Sequence, residues 1–122
     1  MEQYVLYACG GFATELAEYL KETGDALRAQ NSGIEVSDIV DAERGRYDEV
    51  CAILGQQPKL HGGLESLADT GHKRVLVCIG DPAVRERVYQ QCKAAGLKFG
   101  TLVHPTAWVA PSARIGAGVI IC

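Results

Sequence analysis

Two adjacent glycines, Gly10 and Gly11, interrupt the stretch YVLYACGGFATELAEYL, Tyr4 to Leu20. The residues before them have β-forming character and the residues after them repeat as a helix does, which is typical of a strand, a tight turn and a helix N-terminus. Backbone N–H groups of such a turn can face an oxyanion, and the positive end of the helix dipole adds to the attraction. We therefore predict a phosphate-binding turn here. The dinucleotide fingerprint G-x-G-x-x-G is only half kept, because Ala8 and Ala13 stand at its first and third glycines.

Two further positions could serve the same site if the predicted strands lie side by side. Asp41 follows a predicted strand over residues 34–40, and an acidic residue there can accept a hydrogen bond from a ribose hydroxyl or a base N–H. Gly80 follows the apolar run Val75 to Ile79, which is typical of a strand buried on both faces. A purely structural role stays open for both residues: Asp41 as an exposed aspartate in a turn, and Gly80 as the turn between a strand and a helix.

The composition argues against several other functions. A net charge of −3 gives no electrostatic basis for binding nucleic acid or an anionic membrane, and no apolar run approaches the roughly 18 residues of a membrane-spanning helix. The five cysteines are scattered, with no C-x-x-C pair and no histidine at metal-ligand spacing, so we predict no metal site and reduced, cytoplasmic thiols. Cys9 stands out, because a thiol at a helix N-terminus can have a lowered pKa. We place His61, His72 and His104 in turns without a catalytic role.

The elements that must position these residues alternate between strand and helix. In chain order we predict a helix over Phe12–Thr23 ended by Gly24, a strand over 34–40, a loop with a short extended piece over Arg44–Pro58, and a brief helix in HGGLESLAD. A later helix should begin at Asp81 and Pro82, which suit the N-cap and first helical position, and end at Gly96. This alternation predicts an α/β fold with a parallel sheet, whose right-handed crossovers bring the strand ends to one edge.

After Phe99 the pattern changes to a period of six. Read as VHPTAW VAPSAR IGAGVI IC, the chain starts each unit with an aliphatic residue, at Val103, Val109, Ile115 and Ile121. This period is typical of the hexapeptide repeat of a β-helix, in which that residue points into the prism. We therefore predict an α/β domain over residues 1–101 and the first coil of a β-helix over 102–122. One coil cannot bury its own interior, so we expect further coils in a longer parent protein.

Together these residues resemble the NeuD/PglD-type sugar O- or N-acyltransferases of bacterial glycan pathways. The resemblance covers Val5 to Ile120 and is most specific in IGDPAVRERV and HPTAWVAPSARIGAG. It implies a Rossmann-like sheet with flanking helices that binds a nucleotide-sugar, followed by a left-handed β-helix that forms a homotrimer and holds acetyl-CoA between subunits. The catalytic histidine would lie on a later coil, beyond Cys122, so the resemblance places no catalytic residue in this chain.

Position by position, the resemblance implies a nucleotide-sugar site made of Gly10, Gly11, Phe12, Asp41, Ala42 and Gly80. Three residues depart from the family pattern: Ala8 replaces the first loop glycine, Phe12 the loop histidine, and Ala42 the second acidic residue. We expect Ala8 to preserve the turn with a negative φ, at which alanine can replace glycine. A UDP-sugar is the first candidate ligand, while the sugar, the nucleobase and the acyl group stay open.

Two other functions stay open on these residues. One is an NAD(P)- or FAD-binding sensor or redox domain, against which the half-kept fingerprint and the hexapeptide tail argue. The other is a non-catalytic assembly module, in which the α/β part only caps a β-helix. For the leading hypothesis, we expect this chain to bind a nucleotide-sugar, without acyl transfer or tight binding of acetyl-CoA. We also expect a monomer or weak oligomer, because one coil offers less than the roughly 1,000 Å² that a stable interface needs.

Overall fold

The computed structural model describes residues 2–30 and 32–121, and its sheet is parallel throughout. In chain order its elements are β1 (Glu2–Tyr7), α1 (Gly11–Arg28), β2 (Ile34–Val40), α2 (Tyr47–Leu54), β3 (Lys59–His61), two 3₁₀ turns (Leu64–Ser66 and Thr70–His72), β4 (Lys73–Val77), α3 (Pro82–Ala94), β5 (Lys98–Phe99), β6 (Leu102–Val103) and β7 (Ile120–Ile121). The five strands of the main sheet lie in the order β3-β2-β1-β4-β5. The predicted α/β fold with a parallel sheet is therefore confirmed.

The sheet separates two apolar cores. Neighbouring residues of a strand point to opposite faces, so Leu6 of β1 packs with α1 and α2, whereas Val5 packs on the other face with α3. The segment 62–72 helps to cover the second face through Leu64 and Leu67, in place of a full helix. The central strands are thus buried on both sides, as an uninterrupted apolar run indicates.

The start of α3 follows the sequence prediction closely. Asp81 is the N-cap, and its Oδ1 accepts hydrogen bonds from the backbone N–H groups of Ala83 (2.9 Å) and Val84 (3.1 Å). Pro82 occupies the first helical position, where no N–H partner is needed. Gly96 follows the helix with φ +78, a conformation that favours glycine.

The predicted end of α1 at Gly24 is wrong, because the helix continues to Arg28. Gly24 is buried inside it, and a Cβ added there would lie 3.6 Å from the Cβ of Ile34. That distance is an ordinary van der Waals contact, so the packing does not require glycine here, and Gly24 does not stop the helix. The last turn also carries two exposed ion pairs, from Lys21 and from Arg28 to Asp25.

The loop predicted over Arg44–Pro58 is also wrong, because residues 47–54 form α2. This helix is short, and it buries Val50, Cys51 and Leu54 in the core that it shares with α1. Short helices are marginal alone and gain their stability from tertiary packing, which the local sequence does not reveal. Gly55 ends α2 with φ +65.

The tail forms one turn of chain whose two ends pair with each other. β6 and β7 are parallel, with Leu102 opposite Ile120, so 18 residues separate paired positions. That separation is three units of the six-residue period. Turn hydrogen bonds repeat six residues apart, from Ala107 N–H to His104 O (3.0 Å) and from Ala113 N–H to Ala110 O (2.9 Å). The left-handed β-helix implied by the resemblance, and the domain division at residue 101, stay predictions.

Candidate functional site

The candidate site is a cleft of about 360 Å³ at the carboxyl ends of the strands. The chain leaves β1 toward β2 on one side and β4 toward β5 on the other, so the sheet order reverses between β1 and β4. In open parallel sheets, ligands bind in the crevice at such a switch point. Tyr7, the last residue of β1, and Ile79, two residues after β4, both line the cleft, which places the cleft at this point.

The cleft is lined by both apolar and polar side chains, which come from two walls. One wall is formed by residues that end or follow the strands, namely Tyr7, Ala8, Val40, Asp41, Ala42, Gly62 and Ile79. The other wall is one stripe of α3, with Val84, Arg87, Val88 and Gln91 at spacings of three and four residues. An apolar interior with a few convergent polar groups is the usual character of a small-molecule site.

A larger groove, of about 450 Å³, lies beside the amino half of β2, and we do not assign the site there. In this groove the side-chain amide of Gln56 occupies the free edge of β2. Its Oε1 accepts from Val36 N–H (2.8 Å), and its Nε2 donates to the carbonyl of Ile34 (3.3 Å). The groove is thus an already satisfied strand edge, and it lies away from the carboxyl ends of the strands.

The structure brings only part of the predicted site into the cleft. Asp41 and Ala42 line it, whereas Gly10, Gly11 and Gly80 are not among its lining residues. A Cβ added to any of these three glycines would meet no atom within 4 Å. Phe12 packs against the core that lies beneath α1 and α2. Arg87 and Gln91 line the cleft, and sequence reasoning missed them because it treated α3 only as a buried stripe with a cap.

Ala8 corrects the expectation of a negative φ, since its φ is +81. Its N–H donates to the carbonyl of Val40 (2.6 Å), and this bond holds the chain where β1 turns away from the sheet. A side chain in this conformation is strained by about 1–2 kcal/mol, and such strain tends to be retained at binding and active sites. The alanine therefore takes the glycine-type conformation of the turn and adds a methyl group to the cleft lining.

Asp41 braces the turn after β1 from the inside. Its Oδ2 accepts from Cys9 N–H (2.9 Å) and its Oδ1 accepts from Glu43 N–H (2.9 Å). We also predicted that Asp41 accepts a hydrogen bond from a ribose hydroxyl or a base N–H. The two backbone contacts do not test this prediction, because a carboxylate oxygen that accepts one N–H keeps a second lone pair. The bracing role was open in the sequence and is present in the structure.

The idea of a lowered pKa at Cys9 is wrong. Cys9 is fully buried, and its Sγ donates to the carbonyl of Arg44 (3.0 Å). Burial, followed by the charge of Asp41 and a hydrogen bond to it, raises the pKa of Cys9 to about 11. The other described cysteines are also free and buried, so these thiols behave as small hydrophobes.

A second polar cluster lies under the 62–72 segment and was missed by sequence reasoning. His61 is not a turn residue but belongs to β3 and is 4% exposed. Its Nε2 bonds with Oδ1 of Asp38 (2.7 Å) and its Nδ1 with Oγ of Ser66 (2.8 Å). Lys73 Nζ pairs with Oδ2 of Asp38 (2.8 Å). The cluster fixes the 62–72 segment to β2 and β4, and through Gly62 it positions one border of the cleft.

His104 is likewise a structural residue at the start of the tail. It is buried, its Nε2 bonds with the carboxylate of Glu22, and its Nδ1 bonds with Oγ1 of Thr106 (2.7 Å). The ring also packs edge-on against Tyr19 at 5.7 Å between centroids. These contacts fix the tail to α1.

Neither a metal-binding cluster nor a membrane-spanning helix is present among the residues that the structure describes. Over residues 2–30 and 32–121, no group of three or more His, Cys, Asp or Glu side chains is placed to hold a metal ion. No helix formed by these residues is both long and apolar enough to cross a membrane.

The fold can now be compared with known proteins. The structure is similar to the acetyltransferase domain of PglB from Neisseria gonorrhoeae FA1090, with a TM-score of 0.63 and 22% sequence identity. The match covers 98% of this chain and 53% of that one, so the chain spans about half the length of that domain. No family model matches the chain, and the comparison with curated proteins finds no match. The chain therefore has an α/β fold like the one found in a bacterial acetyltransferase domain, and this likeness does not single out the NeuD/PglD type.

Proposed function

We propose that the cleft between the strand ends and α3 binds a nucleoside diphosphate-sugar, with a UDP-sugar as the first candidate. The observation that carries this proposal is the position of the cleft, at the switch point of a parallel sheet. Its apolar lining residues suit a base or sugar ring, and its polar lining residues, Tyr7, Asp41, Arg87 and Gln91, suit the polar groups of such a ligand.

We further propose that the chain is the nucleotide-sugar-binding part of an acetyl-CoA-dependent sugar acyltransferase. The similarity of fold to the acetyltransferase domain of PglB supports this class of reaction. In such an enzyme a histidine base takes the proton from an amine or hydroxyl of the sugar, which attacks the thioester carbonyl of acyl-CoA; the C–S bond breaks, and the proton passes to the departing thiolate of CoA. We expect that base and the acetyl-CoA site on later coils of a left-handed β-helix, so this chain should bind the nucleotide-sugar, which is the acyl acceptor, without transferring an acyl group.

The binding proposal can be tested by isothermal calorimetry with UDP-, GDP- and dTDP-sugars. Ala42 is exposed and lines the cleft, so Ala42→Trp should fill the cleft and weaken binding at least about 10-fold, a loss of about 1.4 kcal/mol. Ala52 is also exposed but lies on α2, outside the cleft, so Ala52→Trp is the matched control and should bind as the parent does.

Equal binding by Ala42→Trp and the parent would show that the ligand lies elsewhere. Absence of binding by any nucleotide-sugar would refute the proposed function and favour the assembly module. Tight binding of NAD(P) or FAD would favour the sensor or redox alternative. For catalysis, we expect release of thiol from acetyl-CoA to stay at the no-enzyme rate.

A further inference from the structure

We propose that the guanidinium of Arg87, and not the N-terminus of α1, holds the diphosphate of the ligand. This inference rests on the proposed function and names the group that binds the anionic part of the same ligand. Arg87 lies on the α3 wall of the cleft, one turn away from Gln91 on the same helical stripe. It was not among the residues that the sequence assigned to the site.

The first support is that Arg87 is a cation without an internal partner. Its side chain makes no ion pair or hydrogen bond with the residues that the structure describes, and the residue is exposed at the cleft rim. The only carboxylate in the cleft lining, that of Asp41, accepts two backbone N–H groups on the opposite wall. Arg87 is therefore not held by Asp41 and keeps all of its donors for a ligand.

The second support is that Arg87, on α3, and Tyr7, at the end of β1, line the same cleft from its two walls. Burial, and then the charges of Cys92 and Asp41, raise the pKa of Tyr7, whereas the positive charge of Arg87 acts in the opposite direction. A phosphate placed between them could accept from both groups, and arginine suits this role because its planar fork binds phosphate through two parallel N–H groups.

The third support is that the glycine turn contributes neither of its glycines to the cleft lining. Gly10 and Gly11 do not line the cleft, and α1 packs on the other face of the sheet from α3. Ala8, at the first position of the fingerprint, does line the cleft, and it adds a methyl group where glycine would leave the backbone bare. A diphosphate in the cleft is therefore served from the α3 wall.

The test compares two single substitutions by calorimetry with UDP and with uridine, which lacks the diphosphate. Arg87→Gln should weaken binding of UDP about 10- to 100-fold and leave binding of uridine unchanged, because only a charge-assisted contact is lost. It should also reduce the dependence of UDP affinity on salt. Gly11→Val, which puts a side chain at the start of α1, should bind UDP as the parent does. Arg114→Gln removes the same charge from the exposed tail and is the control.

Each outcome decides a different claim. If Arg87→Gln binds UDP as tightly as the parent, or if Gly11→Val loses the affinity instead, the assignment to Arg87 is wrong while the proposed function stands. If the parent chain binds no UDP at all, both fail. Because Arg87 is exposed and unpaired, its substitution should leave the melting temperature unchanged, and a parallel thermal melt verifies that each variant is folded.

Discussion

Replacing Asp38 by alanine should destabilise the fold strongly, because Asp38 is the acceptor at the centre of a buried polar cluster. The residue is 5% exposed and accepts from Lys73 Nζ (2.8 Å), from Ser37 Oγ (2.5 Å) and from His61 Nε2 (2.7 Å). The side chain of Lys73 is only 13% exposed, so removal of Asp38 leaves a largely buried ammonium group without its counter-charge. His61 loses the partner of its Nε2 at the same time.

The expected cost is about 3–5 kcal/mol, the range found when one member of a buried ion pair is removed. Domains of this kind are stable by about 5–15 kcal/mol in total, so the loss is a substantial fraction of the whole. The assay is urea unfolding at pH 7, followed by circular dichroism and extrapolated linearly to zero denaturant. Asp48→Ala is the control, because Asp48 is 77% exposed and pairs only with exposed Arg44, so its removal should leave the midpoint unchanged.

The double variant Asp38→Ala/Lys73→Met keeps the test decisive if the single variant does not fold. It removes both charges and should recover at least half of the lost stability, since a buried pair can often be replaced by apolar residues at little cost. A loss below about 1 kcal/mol for Asp38→Ala would refute the reasoning, as the ordinary range for point substitutions centres there. No recovery in the double variant would show that packing, rather than charge, explains the loss.

The same cluster predicts a dependence of stability on acid. Burial by itself would raise the pKa of Asp38, but hydrogen bonds from Lys73, Ser37 and His61 outweigh it and hold the pKa below its ordinary value of 3.8. Because the pKa of Asp38 is lower in the folded than in the unfolded state, its contribution to stability is complete at pH values above 3.8, the ordinary pKa. The contribution is lost as the pH falls from 3.8 through the pKa of the folded state. The difference in unfolding free energy between the parent and Asp38→Ala should therefore be constant from pH 7 to pH 5 and shrink below pH 3.8.

Other predictions concern the turn after β1. Ala8→Gly should raise the free energy of unfolding by about 0.5–1 kcal/mol, because relief of a strained φ outweighs the added entropy of the unfolded chain, and a lower melting temperature would contradict this. Gly45→Ala should lower the free energy of unfolding, measured in urea, more than Gly55→Ala does. Both glycines have a positive φ, but a Cβ at Gly45 would lie 2.7 Å from the carbonyl oxygen of Cys9, whereas a Cβ at Gly55 would meet no atom within 4 Å. Cys9, with a pKa of about 11, should be about 1 in 1,000 ionised at pH 8, against about 1 in 4 for a free thiol. Peptide mass spectrometry should show it alkylated at least 100-fold more slowly in the native protein than in urea, and equal rates would exclude the buried geometry.

Local chemistry was enough to predict several elements. The strand over 34–40 and the start of α3 at Asp81 and Pro82 are both present, since each depends on neighbours in the sequence. α2 was missed because an eight-residue helix takes its stability from packing on α1. The end of α1 was placed too early because tertiary packing, which buries Thr23 and Gly24 inside the helix, overrides the low helix propensity of one glycine.

The candidate site divides in the same way. The sequence by itself determined the alternation of strands and helices and the edge of the sheet where the strand ends meet. It also placed Asp41 and Ala42 at that edge. Only the tertiary structure decided that the cleft opens toward α3, that Arg87 lines it, and that His61 is buried against Asp38. The physical reason is distance along the chain: crossovers bring together groups 23 or more residues apart, such as Asp38 with His61 and Cys9 with Asp41, and no local pattern encodes those contacts.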